Sequence, residues 1–323
     1  MKILITGSEG FIGSHLTEQI IKKGHQVKCF VRYNFQNDWG WLEASPLKKD
    51  MEIYTGDIRD YDSVYDAMKG MDVVFHLAAL IGIPYSYVSP LAYIKTNTEG
   101  TYNVLEASRK LNLQRVVHTS TSEVYGTAQY VPIDEKHPIN PQSPYAASKA
   151  SADHLALSYF RSFETPVTVI RPFNTYGPRQ SARAIIPTII SQILSGKKEI
   201  KLGNLSPTRD LNYVKDTANG FISVGLHEDT IGDVFNLGTG KEISIGDLVK
   251  KIIELTGKKV KIIQDSKRLR PLKSEVERLL SDASKSMKVT GWKSEFSLEE
   301  GFKETIEWIR NNLIRFKADI YNV

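Results

Sequence analysis

Lys2-Ile3-Leu4-Ile5-Thr6-Gly7-Ser8-Glu9-Gly10-Phe11-Ile12-Gly13 is the segment that fixes the architecture of this chain. Residues 2–6 form a short apolar run of the kind a strand buried on both faces requires. Three glycines spaced G-x-x-G-x-x-G follow. Ile12, Leu16 and Ile20 then share one stripe of a helix that Gly24 stops. A Gly-rich turn between a first strand and a first helix lets backbone N–H groups approach a pyrophosphate at the positive helix end. Gly7, Gly10, Phe11, Ile12 and Gly13 are the first candidate cofactor residues.

On either side of the helices, short apolar runs recur. Strands are expected at 26–32, 52–55, 72–78, 115–121 and 167–171, and helices at 13–23, 62–69, 97–111 and 145–163. Continuous apolar strands alternating with helices define an α/β fold, a Rossmann-type doubly wound parallel sheet. After Pro172 the regularity breaks. Residues 175–210 are rich in Pro, Gly, Arg and Ser around one apolar helix, and 233–238 read as one more strand rejoining the sheet. Helices near 244–256 and 298–314 belong to a smaller mixed α/β C-terminal substrate lobe. The expected division is 1–174 plus about 211–240 for the dinucleotide, and about 175–210 plus 241–323 for the substrate.

The 323 residues carry 42 Lys+Arg against 37 Asp+Glu, a net charge of +5 spread without a basic run. That pattern suits a phosphate-bearing small molecule and excludes a nucleic-acid track. With 41% hydrophobic and 24% charged residues, general disorder is excluded. The single cysteine, Cys29, excludes an intrachain disulfide framework and a Cys-rich metal site, and fits a reducing cytoplasm. No metal is expected. No apolar run approaches the ~18 residues of a membrane span, and Met1 leads directly into the first strand, leaving no room for a signal peptide.

At the end of the second strand a carboxylate would bind the ribose 2′-OH of NAD, whereas an arginine suits the 2′-phosphate of NADP. Here Val31-Arg32 has no acid after it until Asp38, so NADP is favoured over NAD. The third strand runs into Gly56-Asp57-Ile58-Arg59-Asp60. Asp57 is placed to meet an adenine edge beside Ile58, and Asp60 to cap a helix. The fourth ends His76-Leu77-Ala78-Ala79, where Leu77, Ala78 and Ala79 let a cofactor lie against the sheet edge. His76 is read as a packed strand histidine.

Tyr145 and Lys149 stand four apart on one helix face. A phenol titrates near ~10, so using it as a base at neutral pH needs a shift of ~3 units, about 4 kcal/mol. A nearby ammonium favours the phenolate, and an oxidised nicotinamide acts in the same sense.

Together with Asn97-Thr98-Glu99-Gly100-Thr101 and Arg171-Pro172-Phe173-Asn174-Thr175-Tyr176-Gly177-Pro178, these motifs resemble the extended short-chain dehydrogenases/reductases of the sugar-nucleotide epimerase/dehydratase family. The resemblance covers nearly the whole chain. It implies a nucleotide-sugar substrate, a tightly bound cofactor recycled in each turnover, and a homodimer through helices at about 97–111 and 145–163. Thr121-Ser122-Glu123 resembles the 4,6-dehydratases, since simple 4-epimerases lack the acid. The implied scheme has Tyr145 taking the 4-OH proton during oxidation, Thr121 bonding the 4-oxygen and Lys149 tuning Tyr145. Glu123 takes the C5 proton, and water leaves from C6. Ser122 departs from the aspartic acid that many dehydratases place there, so either Glu123 protonates the leaving group or Ser122 relays through water.

Asn174, Arg179, Arg209 and Arg270 are the implied sugar-diphosphate residues. The nearest likeness is to bacterial dehydratases of nucleotide-linked N-acetylglucosamine in the legionaminic-acid branch of surface-glycan synthesis. Val31-Arg32 and the Arg270-to-Asp282 segment point to GDP over UDP. The competitors are a UDP-glucuronate decarboxylase, which also shows Thr-Ser-Glu before Tyr-x-x-x-Lys, a 4-epimerase, and a non-enzymatic NADP sensor. The sensor is disfavoured because Glu123, Tyr145 and Lys149 are all present.

Overall fold

The computed structural model describes residues 1–321. In chain order, β1 (Lys2–Thr6), α1 (Phe11–Lys22), β2 (Gln26–Arg32), β3 (Met51–Gly56), α2 (Tyr61–Met68) and β4 (Val73–His76) come first. Next are two short helices, α3 (Ile83–Val88) and α4 (Pro90–Tyr93), then a π-helical stretch, Ile94–Glu99, that leads into α5 (Gly100–Leu111). β5 (Arg115–Thr119), α6 (Pro144–Phe163), β6 (Val167–Pro172), β7 (Asn174–Tyr176) and α7 (Ile185–Leu194) follow. The last third holds β8 (Glu199–Leu202), β9 (Thr208–Tyr213), α8 (Val214–Gly225), β10 (Val234–Leu237), β11 (Glu242–Ser244) and α9 (Ile245–Thr256). β12 (Lys261–Gln264), β13 (Arg278–Leu279), α10 (Ser284–Thr290) and α11 (Leu298–Asn311) complete it.

Seven parallel strands form the main sheet in the order β10-β6-β5-β4-β1-β2-β3. The order reverses between β1 and β4, the crevice where open α/β sheets take their ligands. The alternation within β1 explains its continuous apolarity. Ile3 and Ile5 pack with Leu16 and Ile20 of α1 and with Phe221 and Ile222 of α8. Leu4 packs on the opposite face with Val64 and Met68 of α2, Val104 and Leu105 of α5, and Ala156 of α6.

Beyond β6 the chain builds a second unit. β7, β9, β11 and β13 form one small sheet and β8 pairs β12 in another. Its core gathers Ile189 and Ile190 of α7, Leu248 and Ile252 of α9, and Phe302 and Ile306 of α11. β10 returns to the main sheet, pairing Val234 with Val169. Among the described residues no helix is long and apolar enough to cross a membrane.

Candidate active site

The turn after β1 is wedged between two elements. Gly7 has φ +69°, and a Cβ there would lie 2.8 Å from the Ala78 nitrogen at the end of β4. A Cβ on Gly13 would lie 2.1 Å from the Gly7 carbonyl oxygen. Gly10 donates its N–H to that same oxygen at 3.1 Å, closing the turn. α1 then starts at Phe11 with no side-chain cap, so the first amides of the helix are left for an external acceptor. Gly7, Gly10, Phe11, Ile12 and Gly13 thus form one cradle at the switch point, and it fits a dinucleotide pyrophosphate. Gly13→Ala is expected to destabilise the fold by about 1–3 kcal/mol through backbone overlap, read as a lowered thermal midpoint.

Leu77, Ala78 and Ala79 border the cradle. The Thr6 hydroxyl accepts from the N–H groups of Leu77 and Ala78, each at 3.1 Å. His76 is buried and bonded to Thr6 and Thr101, as a packed strand histidine should be. At the far edge Asp57 is ion-paired with Arg59, which holds its carboxyl below the usual range, and Asp60 caps α2. Ile58 is buried against Gly100.

Arg32 ends β2 with an exposed side chain. Its backbone N–H donates to Glu9 Oε1 at 3.1 Å, while Glu9 Oε2 is buried without a partner. The expectation of NADP rests on β2 lacking an acid nearby, and here that premise needs correcting, because the Gly-rich turn itself delivers one. Linear spacing between residues 9 and 32 gives no sign of it.

At the other end of the cleft, Thr121 caps a 3-10 turn, Ser122–Tyr125, and its hydroxyl accepts from the Glu123 N–H at 3.2 Å. Ser143 caps α6 by accepting from Ala146, and Pro144 occupies its first turn. This start places Tyr145 beside the turn and Lys149 one turn deeper. Thr121, Ser122, Glu123, Tyr145 and Lys149 are all buried. Burial pushes the Tyr145 phenol well up; the Thr121 side chain pulls it partly back, and the nearby Glu123 charge raises it further.

Among the described residues Lys149 makes no direct hydrogen bond to the Tyr145 phenol. Lys149 Nζ donates to the Thr119 carbonyl, and the ammonium is not among the strongest influences on the phenol. Burial instead lowers Lys149 to about 8, opposed by the charge of Asp153.

Asp153 is a residue the sequence reading passed over. It lies on α6 four residues beyond Lys149, so the spacing 145, 149, 153 marks one helix face. Its carboxylate takes hydrogen bonds from Ser120 at 2.7 Å and Arg171 at 3.0 Å and faces His118 at 3.2 Å. Burial would raise it, but the His118 hydrogen bond and the Arg171 guanidinium prevail and hold it at about 2. Arg171 continues the network to Tyr125, whose hydroxyl donates to Asn236 of β10.

One titration follows from this network. Lys149 is charged below about pH 8 and neutral above it. Activity that needs the ammonium should therefore fall as pH rises through about 8. Asp153→Asn removes the anion that sustains the charge, and is expected to move that limb down by about one pH unit in a kcat/KM profile.

On the substrate side, Asn174 begins β7 with its Oδ1 buried and unpartnered. Arg209 and Arg270 converge on one oxygen, Glu275 Oε1, at 3.7 and 3.4 Å. Burial lowers Arg209, and Glu123 is the largest charge acting against that. Arg209 therefore lies within electrostatic reach of Glu123. Arg179 pairs with Glu18 of α1 at 2.8 Å through Nη2, while its Nη1 is buried without a partner. No group of His, Cys, Asp or Glu among the described residues is arranged to hold a metal.

Fold and site define an extended short-chain dehydrogenase/reductase: a dinucleotide cradle at β1, with a buried Tyr/Lys pair beside an acid at the end of β5. The family model for GDP-mannose 4,6 dehydratase matches residues 4–305. A putative UDP-glucose 4-epimerase of Methanocaldococcus jannaschii is 33% identical over 96% of this chain and 99% of its own length. Among solved structures, Pal from Bacillus thuringiensis is 34% identical with a TM-score of 0.87, covering 97% of this chain and all of its own. The dTDP-glucose 4,6-dehydratase DesIV from Streptomyces venezuelae, with NAD and TYD bound, has a TM-score of 0.89 at 28% identity over 98% of this chain and 99% of its own. The chain belongs to the GDP-mannose 4,6-dehydratase family, within the NAD-dependent sugar-nucleotide epimerases and dehydratases.

Proposed function

We propose that the protein is a sugar-nucleotide 4,6-dehydratase, producing a 4-keto-6-deoxy sugar. The observation that carries this is the burial of Glu123 beside Tyr145, close enough for the carboxylate charge to act on the phenol. A 4-epimerase has no use for a general base at C5. A dehydratase needs one.

A nicotinamide dinucleotide in the cradle supplies the acceptor and later donor of hydride, and its oxidised ring favours the Tyr145 phenolate. Tyr145 takes the 4-OH proton while Thr121 bonds the same oxygen. The ketone at C4 acidifies C5–H, and Glu123 removes that proton. Glu123 then passes it to the departing 6-hydroxyl, which leaves as water. Ser122 has no acidic proton to offer, so the carboxyl next to it performs both transfers. C5 regains a proton equivalent to the one that Tyr145 took, by way of water. Lys149 holds the positive charge the phenolate needs.

Arg209 and Arg270, converging on a single carboxylate oxygen, present paired guanidinium groups for a diphosphate, and Asn174 presents its amide beside them. The sugar is taken to be N-acetylglucosamine linked to GDP or UDP, on the resemblance to the legionaminic-acid enzymes. The unit 1–174 with about 211–240 holds the dinucleotide, and about 175–210 with 241–323 the sugar nucleotide. Exposed Tyr102 on α5 and Phe163 at the end of α6 fit a homodimer face on those helices, in a cytoplasmic enzyme. Incubation with GDP-, UDP- and dTDP-hexoses tests this reading. Loss of one water with a new C6 methyl supports it, whereas a pentose with CO₂, or a product of unchanged mass, overturns it.

A further inference from the structure

Three features around Glu9 point one way. First, β2 ends without the carboxylate that normally reads the adenosine ribose; Arg32 stands there, exposed. Second, Glu9 leaves the Gly-rich turn and reaches that same strand end, where Oε1 accepts the Arg32 N–H at 3.1 Å. Its other oxygen is buried and bonded to nothing. A buried acceptor without a donor is costly unless a ligand completes it.

Third, the residue is clasped. The Trp41 N–H donates to the Glu9 carbonyl at 3.1 Å, and Gly40, at φ +58°, lies so close that a Cβ would sit 2.7 Å from that oxygen. Trp41 is anchored edge-on to Trp308 of α11, with ring centroids 5.1 Å apart, and Arg315 lies over its face. The loop with two tryptophans therefore fixes Glu9 between the cradle and β2.

We propose that Glu9 is the ribose-reading acid of this site, with Oε2 accepting the 2′-hydroxyl, so that the protein selects NAD over NADP in spite of Arg32. A 2′-phosphate would set a dianion against a buried carboxylate. The Arg32 charge reaches both Glu9 and Asp57, but it acts on them less than burial does on Glu9 and less than Arg59 does on Asp57. Burial raises Glu9, against the lowering effect of the backbone hydrogen bonds it accepts. This inference rests on the cradle as a dinucleotide site and is independent of the reaction carried out on the sugar.

The test is calorimetric binding of NAD and NADP, without sugar nucleotide, to the full chain freed of co-purified cofactor. The parent should bind NAD at least about tenfold more tightly than NADP. Glu9→Gln keeps the shape of the side chain and should lose about tenfold in NAD affinity, shrinking or reversing the ratio. Adding Arg32→Asp to Glu9→Gln puts the acid on β2 and should restore the preference for NAD. Unchanged melting temperatures identify these as site effects. A parent that prefers NADP, or a Glu9→Gln variant with the parental ratio, overturns the proposal; failure of every sugar nucleotide to react does not touch it.

Discussion

Tyr145→Phe should lower turnover by about 10²–10⁴-fold while leaving sugar-nucleotide affinity within a few-fold of the parent. The substitution removes one oxygen from a buried ring and nothing else. The ring packs edge-on against Tyr93, with centroids 6.2 Å apart, and that contact survives in Phe. The phenol is pushed up by burial and by Glu123, so the free chain holds it protonated at neutral pH. Charge that favours the phenolate must then come from Lys149 and the bound cofactor. The loss should consequently fall on kcat, in steady-state assays of 4-keto sugar formation. A Phe variant with parental turnover would remove Tyr145 from the chemistry.

Glu123→Gln should separate the two halves of the reaction. Oxidation at C4 depends on Tyr145, so it continues, and reduced cofactor should accumulate in a single turnover. Elimination depends on the carboxylate, so formation of the 6-deoxy product should fall by about 10²–10⁴-fold. The amide keeps the volume of the buried side chain, and the bond that Thr121 accepts comes from the backbone N–H of residue 123, so the turn is retained. Absorbance of the reduced cofactor, followed beside product formation, reads both halves at once. Parental product formation in this variant would leave Glu123 without a role. Loss of both halves together would make it a binding group.

The parts legible in the sequence are those whose causes are local. β1, its glycines and α1 announce themselves because a buried strand, a tight turn and an amphipathic stripe each have their own spacing. Tyr145 and Lys149 were legible for the same reason, being one helical turn apart. Glu123 was visible through Thr121-Ser122-Glu123. What stayed hidden depends on tertiary crossings. Glu9 meets the Arg32 amide only because β1 and β2 lie side by side, Ile5 opposite Cys29. Asp153 acquires its meaning from Ser120, His118 and Arg171, which arrive from β5 and β6. The position of Lys149 against the Thr119 carbonyl is a matter of packing, so the direct ammonium–phenol pairing expected from spacing was not what folding produced. The strands of the second unit were also missed. β8 and β12 are four residues each and carry lysines and a glutamate on a half-exposed sheet, which leaves little apolar alternation to read.

In the proposed reaction hydride leaves C4 and returns to C6 of the same sugar while Glu123 removes water between the two transfers. It is tested most directly with a sugar nucleotide deuterated at C4, analysed by NMR after one round of turnover. Deuterium should be found in the new C6 methyl group, beside a proton from solvent at C5. Deuterium retained at C4 of an inverted sugar, or a pentose that has lost C6 as CO₂, would contradict it.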